Sequence, residues 1–212
     1  MSTLDALGLK HGTDKASNHH NYTPIYERYL GAMRNDPLLI LEIGVGGDQH
    51  PDRGGQSLKM WRDYFPNAVV AGVDLHEKRL DLGGRIYVYQ AAQNDAKALG
   101  DIVNKKLGRQ PDVIIDDASH HNALTPQTFR ILFPLLKPGG LYFVEDVHTS
   151  YWREHFGGDE NPLSQATAMA YFHYLTHQLN HEGLHPSYQI AGLFGAIEFI
   201  SFHPQLITIK KL

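Results

Sequence analysis

The chain has 212 residues, 42% of them apolar, and a formal charge of −4, which suits one substantial core and reads as a single domain over residues 1–212. With no Lys/Arg block, the charge balance excludes the electrostatic footprint of a nucleic-acid or anionic-membrane binder and points to a small-molecule partner. There is no cysteine, so disulfides, thiolate zinc sites and a cysteine nucleophile are excluded, and a bound metal must take oxygen or imidazole. No apolar run nears the ~20 residues that span a bilayer and the first residues lack a leader's apolar stretch, so a cytoplasmic protein is expected.

The elements follow in order. Residues 12–15 read G-T-D-K and lead into the polar-aromatic run H-H-N-Y-T-P-I-Y-E-R-Y. Beyond that, β-rich runs at residues 38–45, 68–75, 85–91, 112–117 and 141–147 are mostly apolar on both faces, as buried parallel strands are. Helices are expected between them. Residues 57–65 put Leu58, Trp61 and Phe65 on one face, and residues 96–107 gather Leu99, Ile102, Val103 and Leu107. A further helix over 126–136 is ended by Pro138-Gly139-Gly140. An amphipathic helix is expected over 164–182, with Ala168, Tyr171, Phe172, Leu175 and Leu179 at helical spacing and its aromatics in the core. Residues 197–202 and 206–211, flanking His203-Pro204-Gln205, read as an antiparallel hairpin. The sum is an α/β fold: a seven-stranded, mostly parallel sheet with helices on both faces and a C-terminal hairpin.

Three places carry chemistry. The run L-L-I-L-E-I-G-V-G-G-D-Q is an apolar strand entering a glycine turn, where Gly44 lets backbone approach a ligand. It lacks the sixth-position glycine of the dinucleotide fingerprint, which weakens a nicotinamide reading. Asp74, ending A-G-V-D-L, lies where an acid can accept both hydroxyls of a ribose. An adenosine ligand explains both features, and so does ordinary turn formation.

The second and third places are D-V-I-I-D-D-A-S-H-H at 112–121 and G-L-Y-F-V-E-D-V-H at 140–148, apolar strands that end in acids. Ligand sites of open α/β sheets lie at these carboxyl ends, so Asp117, Glu145 and Asp146 are candidate cation ligands. Side chains alternate along a strand, so Asp116 and Asp117 cannot share a pocket while the strand persists, and Asp117 is the choice. His120 is the candidate base, with His121 its rival, and one member of the Glu145-Asp146 pair could instead cap a turn. An all-oxygen site favours Mg²⁺ or Mn²⁺, and no H-E-x-x-H helix supports zinc. T-S-Y-W-R-E-H-F-G-G-D at 149–159, polar-aromatic with a glycine pair, suits a mobile loop beside such a site, with Tyr151 and Trp152 as candidate acceptor contacts.

E-I-G-V-G with G-V-D-L resembles motifs I and II of class I S-adenosylmethionine-dependent methyltransferases. Taken with G-T-D-K, H-H-N-Y-T-P-I-Y-E-R-Y, I-I-D-D-A-S-H and V-E-D-V-H-T-S-Y-W, residues 9–152 resemble the metal-dependent sugar O-methyltransferases of macrolide biosynthesis, the mycinamicin VI and demethylmacrocin type. The ordered coincidence is more specific than any single motif. The resemblance implies that Glu42, Gly44 and Asp74 help hold S-adenosylmethionine, that Asp117, Glu145 and Asp146 hold Mg²⁺, and that His120 is the general base. It further implies that residues 1–37 cover the donor, with Thr13, Lys15 and Tyr22 as donor-site candidates, and that about 149–187 form a substrate-side insertion. Longer members carry an additional N-terminal domain, and homo-oligomer formation stays open, as does the acceptor.

Methyl transfer from a sulfonium is an in-line displacement, and an alcohol attacks well only as its proton leaves. A divalent cation stabilises the developing alkoxide, and a histidine of ordinary pKa, ~6.5, is largely neutral at cellular pH and ready to take the proton. The expected activity is Mg²⁺-dependent O-methylation of a hydroxylated, glycosylated small molecule. A catechol-type phenolic O-methyltransferase, a metal-dependent hydrolase and a non-enzymatic adenosine-ligand module are the alternatives.

Overall fold

The computed structural model describes residues 3–188, 190, 193 and 195–212. Its strands are β1 (Leu39–Ile43), β2 (Val69–Asp74), β3 (Ile86–Gln90), β4 (Val113–Asp116), β5 (Leu141–Val144), β6 (Ile197–His203) and β7 (Leu206–Lys211). They form a seven-stranded sheet in the order β3-β2-β1-β4-β5-β7-β6, the mixed topology expected of a class I methyltransferase. The α-helices are α1 (Leu4–His11), α2 (Thr23–Leu30), α3 (Gln56–Tyr64), α4 (Ala96–Asp101), α5 (Thr125–Leu132) and α6 (Ala168–Leu175). No helix among the described residues is long and apolar enough to cross a membrane. The chain divides into two compact units, Met1–Ala92 and Gln93–Leu212.

In the first unit β1 pairs in parallel with β2, and β2 with β3. Every β1 residue is buried, as a strand covered on both faces requires. Helix α3 lays Leu58, Met60 and Trp61 into the core. Gly72 of β2 makes room for it, since a Cβ there would come within 2.8 Å of Leu58 and Val45 side-chain atoms. The N-terminal segment is tied together by Asp5, which accepts hydrogen bonds from the Ser17 amide and hydroxyl and from the Thr23 hydroxyl at 2.7–2.8 Å.

In the second unit β4 and β5 are parallel, while β7 runs antiparallel to β5 and to β6. The β6–β7 hairpin turns through Pro204 and Gln205, the latter at φ 62. Phe129 of α5 is the hub of the core, stacked on Phe133 at 4.8 Å and edge-on to Tyr142 and Phe172 at 5.1 and 5.5 Å.

Several boundaries differ from expectation. The strands expected over 112–117 and 141–147 stop at Asp116 and Val144. Residues 96–107 are helical throughout, but α4 passes into a π-helix at Ile102–Leu107. The helix expected over 164–182 starts only at Ala168, because Thr167 is extended and its side chain caps the Ala170 amide. It gives way after Leu175 to a 3₁₀ segment broken at Asn180. Leu179, expected on the apolar face, is 36% exposed, whereas Phe172 and Leu175 are fully buried.

Candidate functional site

The first unit gathers the residues expected at the donor. Gly44, just beyond β1, has φ 97, and its amide donates to the Val73 carbonyl at 2.8 Å. The next amide, of Val45, donates to Asp74 Oδ2 at 3.0 Å, and the His76 amide to Asp74 Oδ1 at 2.8 Å. Asp74 thereby braces the turn it follows. The loop beyond is closed on itself: Gly47 and Gly54 have φ 80 and 109, and a Cβ on either would lie 2.3 Å from a carbonyl oxygen, of Arg53 and Gly46 respectively.

Glu42 is fully buried on β1. Its carboxylate accepts hydrogen bonds from Ser57 Oγ and Trp61 Nε1, each at 2.5 Å, and Lys15 Nζ lies 3.9 Å away. Lys15, Thr13 and Tyr22 are themselves buried. The Lys15 carbonyl accepts from the Tyr22 and Thr23 amides at 2.9 and 3.2 Å, and Tyr22 stacks on His20 at 5.1 Å. Glu42 thus joins the N-terminal segment and α3 to β1. Ser57 and Trp61 are its partners through tertiary contact, and the sequence reading used them only as part of a helix.

The second unit assembles a group with metal-binding geometry. Asp117, His120 and Asp146 each offer a ligand atom within 4.8 Å of the others. His120 Nε2 stands 3.7 Å from Asp117 Oδ1 and 3.5 Å from Asp146 Oδ2. Two carboxylates brought this close, with an imidazole beside them, are the oxygen-donor chemistry that suits a hard divalent ion. The early ends of β4 and β5 release Asp117, Glu145 and Asp146 from strand alternation. Glu145 is buried, with its amide donating to the Asp116 carbonyl at 3.0 Å. It is not part of the 4.8 Å group among the described residues.

Asp116 points elsewhere, as alternation requires. It is buried, accepts a 3.3 Å hydrogen bond from the Tyr142 hydroxyl, and is pushed up to about 7 by burial, with the Asp117 charge adding to the shift. His148 Nδ1 lies 4.0 Å from Asp146 Oδ1, and its ring meets Trp152 edge-on at 4.6 Å. Trp152 and Tyr151 are 49% and 41% exposed, placing aromatic surface near the acids. His121 is directed differently, its Nδ1 accepting from the Ala123 amide at 3.2 Å.

Two further residues bind these segments together, and the sequence reading singled out neither. The Thr149 hydroxyl lies 3.0 Å from the His120 carbonyl and 2.9 Å from that of Asp146. Asn122 Nδ2 donates to the carbonyls of Thr149 and Phe156 at 3.1 and 3.0 Å, and its Oδ1 accepts from the Ala168 amide at 2.7 Å. The available signal was weak: a polar residue just beyond each acid-ending strand.

No family model matches the chain. It is 39% identical over 182 residues to the mycinamicin VI 2''-O-methyltransferase of Micromonospora griseorubida, covering 85% of this chain and 45% of that protein. It is 36% identical over 213 residues to the 8-demethyl-8-alpha-L-rhamnosyl tetracenomycin-C 2'-O-methyltransferase of Streptomyces olivaceus, covering 98% of this chain and 54% of that one. Among solved structures it resembles the MycE methyltransferase of the mycinamycin biosynthetic pathway in complex with Mg and SAH, at TM-score 0.91 and 34% identity over 99% of this chain and 53% of that one. The chain spans about half the length of the curated relatives it matches.

Proposed function

From a chain homologous to macrolide and tetracenomycin sugar O-methyltransferases, we infer an S-adenosylmethionine-dependent O-methyltransferase that acts on a sugar hydroxyl of a glycosylated natural product, in the cytoplasm. The observation that carries this reading is the Asp117–His120–Asp146 group, two carboxylates that suit a cation with an imidazole beside them as a base, in a chain whose relatives methylate sugars. Gly44 and Asp74 meet the donor, while Glu42, Lys15, Thr13 and Tyr22 fasten residues 1–37 as its cover. Asp117 and Asp146, joined by Glu145, hold Mg²⁺. The relevance of Mg²⁺ is supported by the MycE complexes, which contain it together with SAH.

A divalent cation at this set supplies charge stabilisation for an acceptor oxygen that is losing its proton. His120 takes that proton on Nε2, the nitrogen that faces both carboxylates. The oxygen lone pair forms the new C–O bond as the S–CH₃ bond breaks, and the sulfonium becomes a neutral thioether. Tyr151 and Trp152 offer an apolar face for the acceptor sugar.

Calorimetric titration of S-adenosylmethionine into chelator-treated protein, repeated with Mg²⁺, tests the donor half. Saturable binding is expected in both conditions, and its absence from both would overturn the reading. Methylation of glycosylated macrolide or anthracyclic acceptors, compared with simple catechols, then separates a sugar O-methyltransferase from a phenolic one.

A further inference from the structure

His120 and Asp146 share a backbone property unusual for side-chain-bearing residues. Their φ angles are 55 and 53, in the left-handed region, where a non-glycine residue is strained and persists only when its surroundings hold it. Each conformation turns a cluster side chain away from the course of the preceding segment. Something must hold both turns.

We propose that the Thr149 hydroxyl is the positioning group of the Asp117–His120–Asp146 cluster, holding His120 and Asp146 in register through their main-chain carbonyls. Its oxygen is 3.0 Å from the His120 carbonyl and 2.9 Å from the Asp146 carbonyl, so one hydroxyl hydrogen is shared between the two strained residues. Thr149 is 4% exposed, and in such a site the bond is not exchanged readily for one to water. The link to Asp146 is local and is repeated by the Thr149 amide at 3.0 Å. The link to His120 crosses 29 positions and joins the segment after β4 to the segment after β5.

Asn122 completes the clamp from the other side. It is 3% exposed, and its amide group donates to the Thr149 and Phe156 carbonyls while its oxygen takes the first amide of α6. Residues 120–122, the turn at Val147–Tyr151 and the start of α6 therefore form one hydrogen-bonded unit. Without the Thr149 hydroxyl the two left-handed turns lose their common tie, so Asp146 can relax from the geometry that brings its carboxylate toward Asp117, which weakens the cation site, and His120 can relax with it.

This inference rests on the reading that the cluster holds a divalent cation. The test is Mn²⁺ binding, followed by the paramagnetic resonance of free ion, for the wild type and for Thr149→Val, Thr149→Ala, Thr149→Ser and Asp117→Asn. Supporting groups behind metal ligands typically contribute about 10–100-fold in affinity. Thr149→Val and Thr149→Ala are expected to lose that much, with S-adenosylmethionine affinity unchanged, and Thr149→Ser to return within a few-fold of wild type. Should Thr149→Val fail to fold, the alanine and serine variants make the same comparison. Wild-type Mn²⁺ affinity in Thr149→Ala, with Asp117→Asn having lost it, would overturn the positioning role. Wild-type affinity in Asp117→Asn would overturn the cation reading itself.

Discussion

Glu42 in the first unit and the Asp117–Asp146 pair in the second are acids carried at or just beyond the ends of parallel strands, yet they are treated in opposite ways. Glu42 is fully buried and engaged by a hydroxyl, an indole N–H and an ammonium of its own chain. Asp117 and Asp146 converge on one imidazole at 3.7 and 3.5 Å, and Asp146 does so from a left-handed backbone. An acid surrounded by donors of its own chain is a tie between elements. Acids brought toward each other at the expense of backbone strain are arranged for something that arrives from outside.

This contrast can be broken at either centre. Glu42→Ala strands the Lys15 ammonium in the core and removes the acceptor of two buried donors, so urea unfolding should show a loss of about 3–5 kcal/mol. His120→Ala should leave the urea midpoint near wild type and slow methyl transfer by about 10²–10⁴-fold in single-turnover kinetics. Asp117→Asn should weaken Mn²⁺ binding by more than about 100-fold, beyond the usual effect of a supporting residue. Its stability in chelator should stay within about 0.5 kcal/mol of wild type. Equal stability losses in Glu42→Ala and Asp117→Asn would erase the distinction between the two centres.

Smaller effects sharpen it. Trp152→Ala should raise the acceptor KM by roughly fivefold, about 1 kcal/mol, with donor affinity unchanged; an unaltered KM would remove Trp152 from the acceptor face. Asp63 in the first unit tests charge pairing at the surface. Burial raises its pKa, but the hydrogen bonds from Arg62 and His11 and their charges outweigh that and hold it at about 2, below the ordinary 3.8. The unfolded chain then binds the proton first as pH falls, so this contribution is present above pH ~4 and is lost toward pH ~2. In melts across that window Asp63→Asn should flatten the acid limb by less than about 1 kcal/mol after solvent screening.

Much of this arrangement is legible before folding. Strands apolar on both faces, the glycine turn at Gly44, the acid after G-V at Asp74 and the acids closing I-I-D-D and V-E-D are local patterns, and strand alternation separates Asp116 from Asp117 without deciding which of them faces the pocket. The helix near residue 170 was legible in kind but not in extent, since the Thr167 cap and the break at Asn180 compete with apolar spacing that continues through both.

Local patterns of this sort depend on neighbours a few positions apart, which is why composition and spacing alone suffice for the α/β class, the strand ends and the candidate acids. The roles of individual polar groups depend on partners far away in the chain. Glu42 meets Trp61 across 19 positions and Thr149 meets His120 across 29, and no periodicity encodes either pairing. Only close packing of strands, helices and turns decides that one buried acid is saturated from within while another pair is turned toward a shared imidazole, because a buried polar group must find its hydrogen bonds wherever the fold brings a donor.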